Sequence, residues 1–228
     1  MLYQRLHTIF IGIVATLLDS VVVAEFAGYW LHRLLYSDRF PTLSRGHLIH
    51  HFLVDGPWQP MRAGKYHDAT EGCFFIDNVG IEWLGPSAII LLLCWAVMVL
   101  LGVPPIYQVI APCTLLGWAI LMFSYRRDRT HTENCRMSRV PLLKARFLRA
   151  RGLHDIHHHS VASQGYKDPN FGIGFYFFDR LFRTMAKRHR RFNWAGYKTA
   201  IERYGLDEAE LASLRRCSKA LFQRDGRQ

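Results

Sequence analysis

Histidine is the residue whose spacing carries chemistry in this chain. Of the twelve histidines, His47, His50 and His51 form an H-x-x-H-H pattern within GHLIHHF, and His154, His157 and His158 repeat it within LHDIHHHS. On a helix, positions i, i+3 and i+4 share a face, so each triplet presents three imidazoles to one small volume. His32, in YWLHR, and His131, in RRDRTHTE, add one more apiece. Imidazole-rich sets suit iron, zinc, copper and nickel. Two triplets plus two flanking histidines hold two metals at about four ligands each. No H-E-x-x-H is present, so a zinc-metalloprotease helix is not supported. The five cysteines (Cys73, Cys94, Cys113, Cys135, Cys217) stand far apart without a C-x-x-C pair. That argues against a disulfide scaffold or zinc ribbon and for reduced thiols. The remaining histidines read differently: His159 falls off the face of its triplet, His7 and His189 are solvated, and His67 lies in a loop.

Such convergence needs a scaffold, and the hydropathy pattern supplies one. The chain has 228 residues, half of them apolar, and a mean hydropathy of zero, but the apolar residues are pooled. Ser87 to Val103 and Ile106 to Tyr125 are free of charge and joined only by Pro104-Pro105. Each is near the roughly 20 residues that cross a ~30 Å hydrocarbon core. A third stretch, Thr8 to Trp30, carries Asp19 and Glu25; intramembrane acids face a protein interior or polar cavity. No small-residue cleavage site follows it, so it reads as a span and not as a signal peptide. The expected fold is all-α: an integral-membrane bundle with spans at about 8–30, 84–103 and 106–125, two of them a tight hairpin. A helical cap at 31–83 and 126–192 completes a domain over 1–192, and 193–228 forms a helical tail.

Charge sets orientation. Lys plus Arg is 29 against 18 for Asp plus Glu, a net +11, and the excess clusters at 126–151 and 180–191. By the positive-inside rule the cap and C-terminus lie in the cytoplasm and the N-terminus outside, which gathers all eight patterned histidines at one membrane face. The segment PLLKARFLRAR (141–151) mixes Leu and Phe with Lys and Arg as an interfacial helix does. Anionic lipid headgroups, and not nucleic acid, are therefore the expected partner of the basic charge.

The combination of EFAGYWLHR (25–33), the two H-x-x-H-H boxes and NFGIGFYFFDRLFRT (170–184) resembles the fatty acid hydroxylase/sterol desaturase superfamily of membrane di-metal oxygenases. The likeness covers roughly residues 20–186. It implies a cytoplasmic cap holding two irons, O2 as co-substrate, and hydroxylation or desaturation of a lipid C–H bond. Electrons would come from a separate cytochrome b5- or ferredoxin-like donor, since no heme, flavin or nicotinamide segment is evident and the basic face suits an acidic carrier. By position the resemblance assigns His32, His47, His50, His51, His131, His154, His157 and His158 as ligands and catalytic residues. Two positions depart from it: Tyr36 and Ser37 stand where the first box has its second histidine, and Arg127 precedes His131 by four. Tyr36, Asp38, Asp128 or Glu133 could substitute as oxygen ligands, or water could leave open positions. Altered metal content or a silent protein are the other outcomes. Arg183 replaces a glycine of the last motif, away from the ligands.

Glu25, Tyr29, His32 and Tyr36 are spaced to line one helix face. Glu25 is expected to orient a histidine or pair with an arginine; Asp155 and Asp179 are further candidates to support the site, Asp179 alternatively as a cap or ion pair. Asn170 is expected to satisfy backbone in the turn after Asp168-Pro169. The aromatic run Phe171, Phe175, Tyr176, Phe177, Phe178 and Phe182 reads as packing and interface anchoring more than a substrate box. A competing class, a histidine-rich membrane metal-binding protein or transporter, predicts ligands within the bilayer depth, where the charge-free spans hold no histidine.

Overall fold

The computed structural model describes residues 2–36, 39–40, 44–45, 47–48, 51–52, 81–131, 135–188 and 191–205. Its first element is a single long helix, α1 (Leu2–Leu34). After the undescribed stretch come α2 (Ile81–Leu100) and α3 (Pro105–Ala119). Helix α3 runs on as a wider π turn over Ile120–Arg126 and a last α turn, α4 (Arg127–Thr130). A 3₁₀ turn (Arg136–Ser138) leads to α5 (Pro141–His159), then the short α6 (Phe177–Leu181) and α7 (Trp194–Arg203). No strand occurs among the described residues.

The α2–α3 turn is built as its residues require. Gly102 takes a positive φ of 65°, which costs glycine little, and Pro104-Pro105 opens α3, with proline at its first turn, where the missing N–H is not needed. Helices α1 and α3 run parallel: the face of Gly12 meets Tyr107, and that of Gly28 meets Phe123. A Cβ at either glycine would collide with the ring opposite, so these two small residues set the close approach of the helices.

Two helices, Tyr3–Leu34 and Pro105–Phe123, are long and apolar enough to cross a membrane, while Gly85–Leu100 is apolar but shorter. Fewer than a fifth of the residues in the apolar windows of the two longer helices are buried in the protein. Leu92, Leu93, Leu100 and Ile120 stand outward. A continuous exposed apolar surface of this kind needs a nonaqueous neighbour. The core lies beneath it, at the C-terminal ends of α1 and α3. There Tyr29, Tyr36, Leu48 and Phe52 pack with Val161, Phe171 and Phe178, and with Ala200 and Tyr204 from α7 and its end. Helix α7 thus belongs to the cap core, its start capped by Asn193 Oδ1 accepting from Gly196 N at 3.0 Å. The rest of the helical tail expected over 193–228, from residue 206 onward, lies outside the described residues.

Candidate metal centre

The face Glu25–Tyr29–His32–Tyr36 is buried throughout, at no more than 4% exposure for any of the four. It delivers His32 and Tyr36 to the cap. The piece at 47–52 brings His47 and His51, and the last turns of α5 bring His154, His157 and His158, all buried. His131 arrives at the end of α4 and is half-buried.

Seven of the eight sequence-predicted histidines are therefore described, and they converge. His32, His51 and His157 form one group able to hold a metal ion, and His131, His154 and His158 a second; within each, the ligand atoms lie within 4.8 Å of one another. Close nitrogen pairs recur: His51–His47 at 3.1 Å, His131–His154 at 3.0 Å and His154–His158 at 3.2 Å, all through Nε2. Two nitrogens about 2.1 Å from a shared ion, at tetrahedral or octahedral angles, lie roughly 3.0–3.4 Å apart. The groups adjoin, for the His51 and His158 rings are 4.1 Å apart between centroids. His50 and Glu133, and the side chain of Asp128, lie outside the described residues.

Tyr36 is built into the first group. Its hydroxyl is 2.7 Å from His51 Nε2, 2.8 Å from His157 Nε2, 2.9 Å from His47 Nε2 and 3.3 Å from His32 Nε2. Two of these rings have assignable tautomers. His32 Nδ1 is 2.7 Å from the Phe171 carbonyl, and His157 Nδ1 is 2.6 Å from the Pro169 carbonyl. A carbonyl only accepts, so Nδ1 carries the proton in each and Nε2 presents a lone pair. The one phenolic proton serves only one of those two lone pairs at a time. A cation satisfies both, and the all-nitrogen set with one phenol oxygen has the right donor chemistry. The residues present thus fit a resident metal.

Burial favours the neutral form of His157. The His157 imidazole is held well below its ordinary pKa, first by desolvation, then by His32, Lys167 and Arg127. Burial pushes the Tyr36 phenol well above its usual value, with Arg127 opposing. Arg127, where the resemblance expects a histidine, is buried and acts on the first group as a nearby cation. Lys167 is also buried; its Nζ donates to the His158 carbonyl at 2.5 Å and lies 4.7 Å from the Phe52 ring centre. Burial lowers its pKa to about 7, Asp168 opposing.

The motif at 170–184 explains how the carbonyls are aimed. Asp179 accepts from Phe171 N and Gly172 N at 2.7 Å each, and from Thr184 Oγ1 at 2.8 Å. Asn170, at φ 57°, donates to the Leu153 and Ala186 carbonyls and accepts from Ala186 N. Both side chains fasten the loop whose Pro169 and Phe171 carbonyls orient His157 and His32. Glu25 fastens its other end, accepting from Trp118 Nε1 at 2.6 Å and Phe175 N at 2.7 Å. Gly174 is glycine because a Cβ there would overlap the Glu25 carboxylate. Arg126 Nη1 donates to the Ile173 and Gly174 carbonyls beside it. Glu25 and Asp179 thus act on loop backbone, and Asn170 also ties the loop to α5 through the Leu153 carbonyl. Asp155 is half-exposed and faces His159, at 3.5 Å. The two main-chain carbonyls that orient His32 and His157 have no side-chain identity for sequence reasoning to find.

The fold and the site together define a helical protein with apolar helices of membrane-crossing type and a buried polyhistidine cluster suited to metal. The chain belongs to the fatty acid hydroxylase family, whose model matches residues 17–184. No curated protein and no solved structure matches it significantly. Membership makes this an oxidoreductase family acting on lipids, and with the two apolar helices it points to a membrane protein.

Proposed function

We propose that the protein is a membrane-bound di-iron oxygenase that hydroxylates or desaturates a lipid C–H bond. The convergence of seven described histidines, six in two adjoining groups of three and His47 at 3.1 Å from His51, within a chain of this family, carries the reading. His32, His47, His51 and His157 with the Tyr36 phenol would hold one iron, and His131, His154 and His158 the other, with His50 joining from the second box. The bound irons supply the redox chemistry that an unactivated C–H bond requires and acid–base groups cannot provide. For hydroxylation the balance is one lipid C–H, one O2, two electrons and two protons giving one alcohol and one water; desaturation yields an alkene and two waters.

The chain's own residues prepare the site. The Pro169 and Phe171 carbonyls keep the His157 and His32 lone pairs aimed inward, which spares rotational loss on binding a metal. Burial holds His157 neutral, the protonation state a ligand needs. The packed aromatic layer of Tyr29, Phe171 and Phe178 excludes water from beneath the first group. Electrons would arrive from a separate carrier at the basic cytoplasmic face, with the N-terminus outside and three spans.

The test is lipid mass change. Cells expressing the protein should show a +16 or −2 product, absent with His157→Ala. Full turnover by His157→Ala would defeat the assignment of the site.

A further inference from the structure

Away from the histidines, a cavity of about 780 Å³ opens between α3, α5 and the 174–185 segment, a size usual for sites that enclose small molecules. Its wall is apolar, including Trp118, Phe147 and Ala150, yet among the described residues four arginines line it, Arg126, Arg146, Arg149 and Arg180, and no carboxylate does. Arg126 is committed to the loop carbonyls. Arg146, Arg149 and Arg180 are exposed and form no ion pair among the described residues.

The surroundings decide what kind of anion this takes. Leu121, Leu143, Phe175 and Phe177 line the cavity and are also exposed to the outside, each at 46% or more. Leu142, at the start of α5, is 88% exposed. Arginines beside outward apolar side chains are the arrangement of an interfacial helix at headgroup depth. A soluble phosphate has no use for the apolar wall; a lipid uses both parts. Guanidinium forks pair with phosphate oxygens in two bonds at once. A cavity lined by one sign of charge repels the ammonium of a zwitterionic headgroup.

We propose that this cavity binds a membrane phospholipid of net negative charge. The phosphate sits among Arg146, Arg149 and Arg180, and an acyl chain lies against Phe147 and Ala150. Leu143, Phe147, Ala150 and His154 fall on one face of α5. A chain following that face runs toward His154, one turn, about 6 Å, beyond Ala150. If the chemistry proposed above holds, the lipid so placed is the substrate; this consequence alone rests on that reading.

The experiment titrates the iron-loaded, full-length protein in neutral detergent with dioleoyl phosphatidylglycerol or dioleoyl phosphatidylcholine, counting bound lipid by native mass spectrometry. One phosphatidylglycerol per chain is expected at concentrations where phosphatidylcholine is not retained. The triple variant Arg146→Gln, Arg149→Gln, Arg180→Gln should lose at least tenfold in phosphatidylglycerol affinity. The matching Lys triple should keep the charge preference. Equal retention of the two lipids, an unchanged Gln triple, or displacement of the lipid by millimolar glycerol phosphate would overturn the proposal. Iron counted in the same samples separates the two readings. Phosphatidylglycerol preference without iron keeps the lipid site and defeats the oxygenase, and iron without preference does the reverse.

Discussion

The two histidine groups stand side by side but are held by different means. In the first, His32 and His157 are wholly buried, and each is pinned through Nδ1 by a main-chain carbonyl of one loop. In the second, His154 and His158 share a face of α5 one turn apart, and His131 reaches them from α4 while still half-exposed. The first group is a loop-aimed, enclosed set with a phenol oxygen; the second is a helix-borne set with an open side, nearer the arginine-lined cavity. Precision is concentrated where the loop is, and access where the helix is. Helix α5 ties the groups together, since His157 turns to one and His154 and His158 to the other.

Several changes would break or sharpen this contrast. The largest effect is expected from His157→Ala, which removes a proposed ligand, a loop contact and a buried ring. Metal analysis should show the first group empty and the second still loaded; equal loss from both would mean the groups are not separable. Next is Asp179→Ala, which strands two buried N–H groups and the Thr184 hydroxyl and should cost about 3 kcal/mol or more. Thermal melting in detergent measures it. The partial substitute Asp179→Asn should lie between, and its metal loss should again fall on His32 and His157. Tyr36→Phe should lower iron per chain at the first group with little change in melting temperature; unchanged occupancy would remove the phenol from the ligand set.

A smaller effect is expected from pH. Because the fold depresses the His157 pKa, unfolded chains bind more protons than folded ones below the ordinary histidine value of about 6.5. Stability is then fully present above that value and declines as pH falls below it. Metal-free protein should melt lower at pH 5.5 than at pH 7.5. A melting temperature that stays level or rises on acidification would contradict a neutral, buried ring. The least effect belongs to Asp155→Asn: half-exposed and facing His159, it should leave metal content unchanged.

What was legible in the sequence follows from periodicity. The apolar runs marked the helices, and the spacing of Glu25, Tyr29, His32 and Tyr36 predicted a single face that is indeed buried. Helical spacing brings i, i+3 and i+4 near one another, but it did not reveal that the last box is split, with His157 in one group and His154 and His158 in the other. Long-range partners were not legible. Glu25 was expected at a histidine or an arginine; Arg126 does act on it electrostatically, but its hydrogen bonds come from Trp118 and the Phe175 amide, 93 and 150 residues away. Asp155 was grouped with the site by adjacency in sequence, yet its position on α5 turns it to His159. The orienting carbonyls of Pro169 and Phe171 belong to every peptide unit, so no residue type announces them. The wide turn at Ile120–Arg126, which leads into Arg127 and α4, has no compositional mark either.

On the proposed function, the histidines form two metal sites and not one cluster. Iron per chain, measured by elemental analysis after anaerobic reconstitution of the purified protein with ferrous iron, tests it most directly. Two irons are expected in the wild-type protein and one in His157→Ala. One iron or fewer in the wild-type protein would contradict it.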